Sequence, residues 1–350
     1  MKLLLSLFLS ILISVTAYSQ QPYYNGVNLT LTGIPLKTEL AQKITNTHTV
    51  QLQYTNVWGV LQQTDLDPLN SNNVLLLYGY NDGDGNPITD KTRSKFSNGG
   101  NTGEWNREHT YAQSLATPNM TTSVPNAGTD AHHLRSTDVQ MNGNRGNRKF
   151  ASGSGNAGNV GANWYPGNEW KGDVARMMMY MYLRYPTQCL PDNVGVGTSV
   201  AIDPSMIDLF LEWNSQDVVS QYEQNRNTIL ETEQGNRNPF IDNPYLATLI
   251  WGGTPAQDNW NLTTVEENSL EDAFSVYPVP SKNGDIHVHF KQINEVKSIE
   301  LFAVNGQKVR SVQNPKIVNK EFVFKGLSKG FFILKAMVGA DLVTKKVVVN

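Results

Sequence analysis

The chain has 350 residues, enough for two domains, and a formal charge of −3 from 28 Lys and Arg against 31 Asp and Glu. The charge is unevenly divided: residues 271–350 hold 12 basic and 7 acidic residues, leaving 16 and 24 for the first 270, about +5 and −8. An acidic first part excludes capture of nucleic acid by bulk charge, so a polyanion must be drawn by a local basic patch or a metal. The lone Cys189 excludes an intrachain disulfide and reads as a buried, small apolar side chain.

Residues 1–19 join Lys2 to an apolar run from Leu3 to Val15 and small residues at Ala17 and Ser19. That is the pattern of a secretory signal peptide, too short for a lasting membrane span. No other stretch is apolar enough to cross a bilayer, so an exported, soluble or surface-tethered protein with no integral membrane span is expected. From Gln20 the spacing predicts a helix from Leu36 to Thr45, a Trp58 to Leu61 segment and a strand-like run from Val74 to Tyr80. Asn81 to Pro87 places carboxylates at alternate positions as a calcium loop does, but lacks the later bidentate glutamate and reads as a Gly/Asp turn. Residues 151–168, rich in Gly, Asn, Ser and Ala, predict a loop over or beside a site.

Beyond it a helix opening at Gly172 is apolar almost all round from Met177 to Leu183, which implies burial. Further helices are expected from about Met206 to Asn225, over Asn227 to Glu233, and ending at Trp251. The polar stretch 252–271 reads as a linker. The chain thus divides into a signal peptide (1–19), a catalytic domain (20–251), a linker (252–271) and a C-terminal domain (272–350). The last shows short alternating strands at Ile286–Phe290, Ile299–Phe302, Phe322–Phe324, Phe331–Leu334 and Val343–Val349, broken by Asn305-Gly306 and Ser328-Lys329-Gly330. A small all-β sandwich follows, with His287 and His289 as solvated strand residues. The expected class is α+β, with a mainly helical first domain.

Between Trp105 and Asn147 the chain gathers an acid, three histidines, carboxamides and arginines. They lie in Trp105-Asn106-Arg107-Glu108-His109, Asp130-Ala131-His132-His133-Leu134-Arg135 and Met141-Asn142-Gly143-Asn144-Arg145-Gly146-Asn147. A phosphodiester resists hydrolysis because its anion repels nucleophiles and its alkoxide leaves poorly, so a site needs activated water, a cation and a stabilised leaving oxygen. Magnesium takes oxygen ligands and is commonly held by one or two protein groups plus the substrate phosphate. Glu108 and Asn142 can be those ligands, and His109 can accept the proton of water at neutral pH. Arg145, three residues after Asn142 on a helix capped by Ser136 or Thr137, would contact the phosphate. Successive strand residues face opposite sides, so Glu108 and His109 share one site only if the backbone is twisted or bulged there. His132 and His133 therefore stay open as alternative bases, the other reading of His132 being a structural imidazole near Asp130. Arg135 and Arg148, with Lys149, would form a basic strip for substrate, or else surface ion pairs. Asn236 and Arg237 would approach substrate, or else satisfy backbone groups in a turn. Trp105 and Tyr111 read as core aromatics ahead of base-stacking platforms.

These segments, together with Gln113-Ser114, Lys171-Gly172-Asp173-Val174-Ala175-Arg176 and Gly235-Asn236-Arg237-Asn238-Pro239-Phe240, stand in one characteristic order. In them the region from about Tyr23 to Trp251 resembles the secreted bacterial endonuclease I family. The resemblance implies a ββα-metal active site, His109 as general base, Glu108 and Asn142 as Mg²⁺ ligands, and cleavage of DNA, and often RNA, with little sequence preference. Mn²⁺ or Ca²⁺ are the substitute ions. The chain departs from the family in having Tyr111-Ala112 where Trp-Pro is frequent, and in lacking the disulfides of some members. From about Asp272, Val276-Tyr277-Pro278-Val279-Pro280, Val304-Asn305-Gly306-Gln307-Lys308-Val309, Leu327-Ser328-Lys329-Gly330-Phe331-Phe332 and the closing Lys345-Lys346-Val347-Val348-Val349 resemble the sorting domain of type IX secretion cargo. That resemblance implies export by the type IX machinery, with the tail removed or attached at the surface. The expected activity is that of a secreted, monomeric, metal-dependent, sequence-nonspecific endonuclease. The rivals are an inactive surface-displayed nucleic-acid-binding protein and a phosphodiesterase for small or lipid substrates.

Overall fold

The computed structural model describes residues 22–262, 274–290, 296–338 and 341–350. The signal peptide expected at 1–19 and the 263–271 part of the expected linker lie outside the described residues. The chain separates into two compact units that divide between Leu262 and Thr263.

The first unit begins with helices α1 (Gly33–Thr47) and α2 (Val57–Thr64), followed by a three-stranded antiparallel sheet of β1 (Leu66–Asp67), β2 (Asn70–Leu75) and β3 (Thr92–Ser94). The strand-like run expected from Val74 to Tyr80 stays buried up to Gly79, but it leaves the sheet after Leu75, and Tyr78 takes a left-handed conformation with φ 71°. Next come β4 (Trp105–His109) and β5 (Leu134–Asp138), paired antiparallel, and β5 runs directly into helix α3 (Val139–Arg145). The expected loop 151–168 carries a two-stranded hairpin of β6 (Gly158–Val160) and β7 (Asn163–Tyr165).

Helix α4 (Lys171–Arg184) has every residue from Gly172 to Leu183 buried, as its apolar circumference requires, and anchors the main hydrophobic core. After the short α5 (Pro191–Val194) and the pair β8 (Ser199–Val200) and β9 (Asp203–Ile207), the single helix expected over Met206 to Asn225 is two, α6 (Asp208–Gln216) and α7 (Gln221–Gln234). The break has a local cause. Ser220 accepts the Glu223 amide and Glu223 accepts the Ser220 amide, a reciprocal cap that starts a new helix. α8 (Pro239–Asp242) and α9 (Tyr245–Trp251) close the unit. Gly252 to Leu262 is no free linker: Ala256 is buried, and Trp260 and Leu262 pack on the core, Trp260 lying 5.0 Å from the Tyr24 ring. The unit is therefore an α+β mixture of helices and small sheets. Many of its strands are two or three residues long because Gly, Asn and Pro interrupt them. Among the described residues no helix is long and apolar enough to cross a membrane.

The second unit is all β. One sheet orders β10 (Phe274–Tyr277), β11 (Ile286–Phe290) and β14 (Glu321–Phe324); the other orders β13 (Lys308–Gln313), β12 (Val296–Ala303), β15 (Gly330–Val338) and β16 (Asp341–Val349). Alternate residues of both sheets, among them Val288, Phe290, Leu301, Leu334 and Val347, form one core, which makes the unit a sandwich. His287 stacks on Tyr277 and pairs with Glu321 at 3.1 Å, a strand-face arrangement.

One buried arginine ties α7 to the strand that carries the site. Arg226 reaches Asp65 and Thr64 with Nη1, and the carbonyls of Ala131 and Leu134 with Nη2 at 2.5 and 2.7 Å. Asp65 in turn accepts the amide of Ser136 in β5 at 2.6 Å. Arg226→Ala strands a buried carboxylate and two carbonyls, and should cost about 3–5 kcal/mol. All seven tryptophans lie in the first unit, so urea unfolding followed by tryptophan fluorescence measures this loss there; an unchanged midpoint would show the network to be dispensable.

Candidate active site

The strand pair and helix bring the key side chains together. Glu108, His109, Asn142 and Arg145 line one cavity of about 250 Å³, together with Arg107, Gln113 and Asn147. The ladder between β4 and β5 is regular over all five pairs, so no bulge turns Glu108 and His109 to one side. The two neighbours share the cavity because His109 is the last residue of β4 and the opening lies around the strand's end. α3 is capped by Asp138, not by Ser136 or Thr137, which stay in β5. Asp138 Oδ1 accepts the amides of Gln140 and Met141 at 2.8 and 2.9 Å, while its Oδ2 takes Arg93 Nη1 at 2.6 Å.

Glu108 is 2% exposed and asymmetrically bonded. Tyr78 OH and Arg145 Nη1 both donate to its Oε1, at 3.0 and 3.1 Å, and Oε2 receives neither. Burial pushes its carboxyl up to about 7 against the pull of Arg145 and Tyr78. Asn142 donates Nδ2 to Asn106 Oδ1 at 2.8 Å, which leaves its carbonyl oxygen as the free end. The donor set facing the cavity is thus a carboxylate oxygen and an amide oxygen, which suits a hard divalent cation that keeps several waters. Among the described residues no cluster of three or more His, Cys, Asp or Glu competes with it as a metal nest.

His109 is held by its far nitrogen. Nε2 lies 2.8 Å from the Gly128 carbonyl, which can only accept, so Nε2 carries the proton and Nδ1 keeps a lone pair. Gln113 Nε2 sits 3.1 Å from both ring nitrogens. Burial, followed by the nearby His133, pushes the imidazole down to about 3, so it is the unprotonated form at neutral pH. The Gly128 carbonyl is itself fixed by a turn over Ala127–Thr129, capped reciprocally by Asn126 and Thr129. A Cβ at Gly128 would collide with the Thr121 carbonyl oxygen.

Several expected roles change. Arg145 is fully buried and commits Nη1 to Glu108 and the His109 carbonyl and Nη2 to the Thr110 carbonyl, which makes it a clamp on the strand's end and not a phosphate contact. Arg135 is buried between Asp173 and Asp65 under Trp170 and Tyr222, away from any basic strip. Asn236 is fully buried, donating to Tyr180 OH and the Ile44 carbonyl, and Arg237 is closed by Asp242 and Glu231. None of the three is free to approach substrate. His132 points away from the cavity, with its ring 3.2 Å from the Asn236 carbonyl and 4.2 Å from the Tyr180 ring, the structural alternative considered for it. Arg148 and Lys149 lie outside this cavity; Lys149 donates to the Asp192 carbonyl, and Arg148 lines a neighbouring opening. Trp105 and Tyr111 are fully buried, with polar atoms bonded to the Ser94 and Leu190 carbonyls.

Two residues that sequence reasoning passed over join the cavity. Arg107 stacks on Tyr54 and Trp58, at 3.5 and 4.1 Å from the ring centroids, gives Nη1 to the Tyr54 carbonyl, and leaves Nη2 without a partner among the described residues. Gln113 is the other. Position inside the Trp105–His109 motif was the available signal for Arg107, four residues beyond His109 for Gln113.

A strand pair feeding a short helix sets an acid, an amide and an imidazole around one cavity. A family model described as Endonuclease I matches residues 32–245, and one described as Secretion system C-terminal sorting domain matches residues 275–350. The chain is 43% identical over 242 residues to an extracellular ribonuclease of Bacillus subtilis (strain 168), covering 65% of this chain and 78% of that protein. It is 42% identical over 232 residues to an extracellular ribonuclease of Bacillus amyloliquefaciens, covering 63% and 74%. The chain belongs to the Endonuclease I family and carries a secretion sorting domain; it is a nuclease at that level, secreted or held at the cell surface.

The buried histidines of the 131–133 turn make the unit acid-sensitive. Burial pushes His132 and His133 each down to about 4 from the ordinary 6.5, with Asp130 pulling the other way. The unfolded chain takes up these protons near pH 6.5 and the folded unit only near 4, so stability is intact above about 6.5 and falls as pH drops from there toward 4. Burial pushes the Glu108 carboxyl up to about 7 and raises Asp173 as well, and both oppose this fall, so the histidine contribution is the difference between wild type and His132→Gln in urea midpoints followed by tryptophan fluorescence. A variant whose midpoints change with pH from 7 to 4 just as the wild type's do would contradict the neutral burial of that ring.

Proposed function

We propose that the chain is a secreted, metal-dependent, sequence-nonspecific endonuclease acting on DNA, with β4, β5 and α3 as a ββα-metal core. The observation that carries this is the pair of unsatisfied oxygens, Glu108 Oε2 and Asn142 Oδ1, belonging to residues that line one cavity with a histidine whose tautomer is set. Those two oxygens would hold Mg²⁺, with Mn²⁺ or Ca²⁺ as substitutes; when bound, the ion neutralises phosphate charge and stabilises the leaving 3′-oxygen. His109 Nδ1 takes the proton of the attacking water, and the Gly128 carbonyl steadies the positive charge that the ring then gains. An arriving phosphodiester anion raises the basicity of that ring. Arg107, fixed between two aromatic faces, offers Nη2 to a non-bridging oxygen. Arg145 keeps Glu108 in place through Oε1, so the other oxygen stays available. Phosphate contacts of this kind carry no base information, in keeping with cleavage without sequence preference.

RNA is the second substrate we assign, because both relatives bear the name extracellular ribonuclease. A chelator should abolish cleavage of plasmid DNA and added Mg²⁺ should restore it. His109→Ala should lower kcat by about 10²–10⁴-fold while the tryptophan fluorescence of the folded unit persists. Full activity in that variant removes His109 as the base. Parallel assays on RNA and on a small chromogenic diester separate a nuclease from a small-molecule phosphodiesterase.

A further inference from the structure

A second opening lies on the other flank of α3. It has a volume of about 540 Å³, within the roughly 300–1,000 Å³ of sites that enclose small organic ligands. Tyr80, Asn86, Asn144, Arg148, Asn159 and Trp164 line it, and no carboxylate stands among its lining residues. From α3 and the turn after it, Asn142, Arg145, Gly146 and Asn147 face the catalytic cavity, while Met141, Gly143, Asn144 and Arg148 face this one. From the structure we infer that this cleft is a subsite for a nucleotide two or three positions from the scissile phosphate on the same strand, an inference that rests on the nuclease reading.

Three observations argue for that occupant. Trp164 is 2% exposed, yet its indole Nε1 has no hydrogen-bond partner among the described residues. A buried donor left unmade is costly, and an acceptor on a ligand relieves it. Arg148 gives Nη1 to the carbonyls of Asn144 and Arg145, at 2.6 and 3.3 Å, and keeps Nε and Nη2 free of partners among the described residues. Cation, indole donor and three carboxamides without an acid fit an anionic ligand rich in acceptors, and a base can stack on the aromatic rings. The path between the openings is also clear. A Cβ added at Gly143 would meet nothing, and Asn144 and Asn147 are exposed, so a strand can pass close over α3. A helix is about 10 Å across, a distance that roughly three nucleotides cover at about 3.4 Å of rise each.

The test uses the full chain, single-stranded oligonucleotides of two to eight residues, and a small chromogenic diester. KM should fall between the dinucleotide and the octanucleotide for the wild type. Asn159→Asp, which puts a carboxylate into the cleft, and Trp164→Phe, which removes the donor and keeps an aromatic ring, should each raise KM for the octanucleotide about tenfold, the factor of one lost polar contact. Turnover of the small diester should not change, which also certifies the fold. In chelator, where cleavage stops, fluorescence anisotropy of a labelled octanucleotide should show the same weakening. Binding that is normal in both variants, or equal losses on octanucleotide and small diester, overturns the subsite. Octanucleotide binding that weakens in the variants, in a protein that cleaves nothing, would sustain the subsite and reject the proposed catalysis.

Discussion

A guanidinium shut away from water decides how the candidate site is put together. Arg145 leaves α3 and ends among Glu108 Oε1 and the carbonyls of His109 and Thr110, stacked over Phe150 at 4.7 Å. A buried cation is tolerable only when its donors are met, so the end of β4 and the helix must meet in this one arrangement. Because the same carboxylate oxygen also takes Tyr78 OH, the protein's donors converge on one side of Glu108. The opposite oxygen receives neither donor.

The surrounding polar interior serves the same end at longer range. Arg226, Arg135 and Arg176 each reach acids from other elements, and Asp130 accepts from the His132 amide, Gln234, Tyr180 and Tyr185. These contacts hold the turns at 127–133, and those turns present the Gly128 carbonyl to His109. The charge at the heart of this unit is therefore structural, and the few polar atoms left unmet stand out against it.

How much of this was legible from the residues alone follows from what periodicity and motif can carry. The helix at 171–184 and the C-terminal strands came through because burial on every side, or on alternate sides, writes a strong pattern. Glu108, His109 and Asn142 were readable because their chemistry is rare within so short a stretch. Asn236, Arg237 and Arg135 were misjudged because a polar run looks the same whether it meets water or an internal acid, and only the fold brings Asp242, Glu231 and Asp173 alongside. The break between α6 and α7 depended on a reciprocal cap at Ser220 and Glu223, hidden inside a stretch with acceptable helical spacing. Arg107 was overlooked because its value comes from two rings fifty residues away in sequence, Tyr54 and Trp58.

Cys189 is fully buried and has no sulfur with which to pair. Exported proteins can carry oxidative cross-links, whereas here cohesion comes from an apolar core and internal ion pairs. Its maturation accordingly needs no oxidant and no thiol-exchange catalyst, and the chain can reach its working shape as readily in anoxic surroundings as in air.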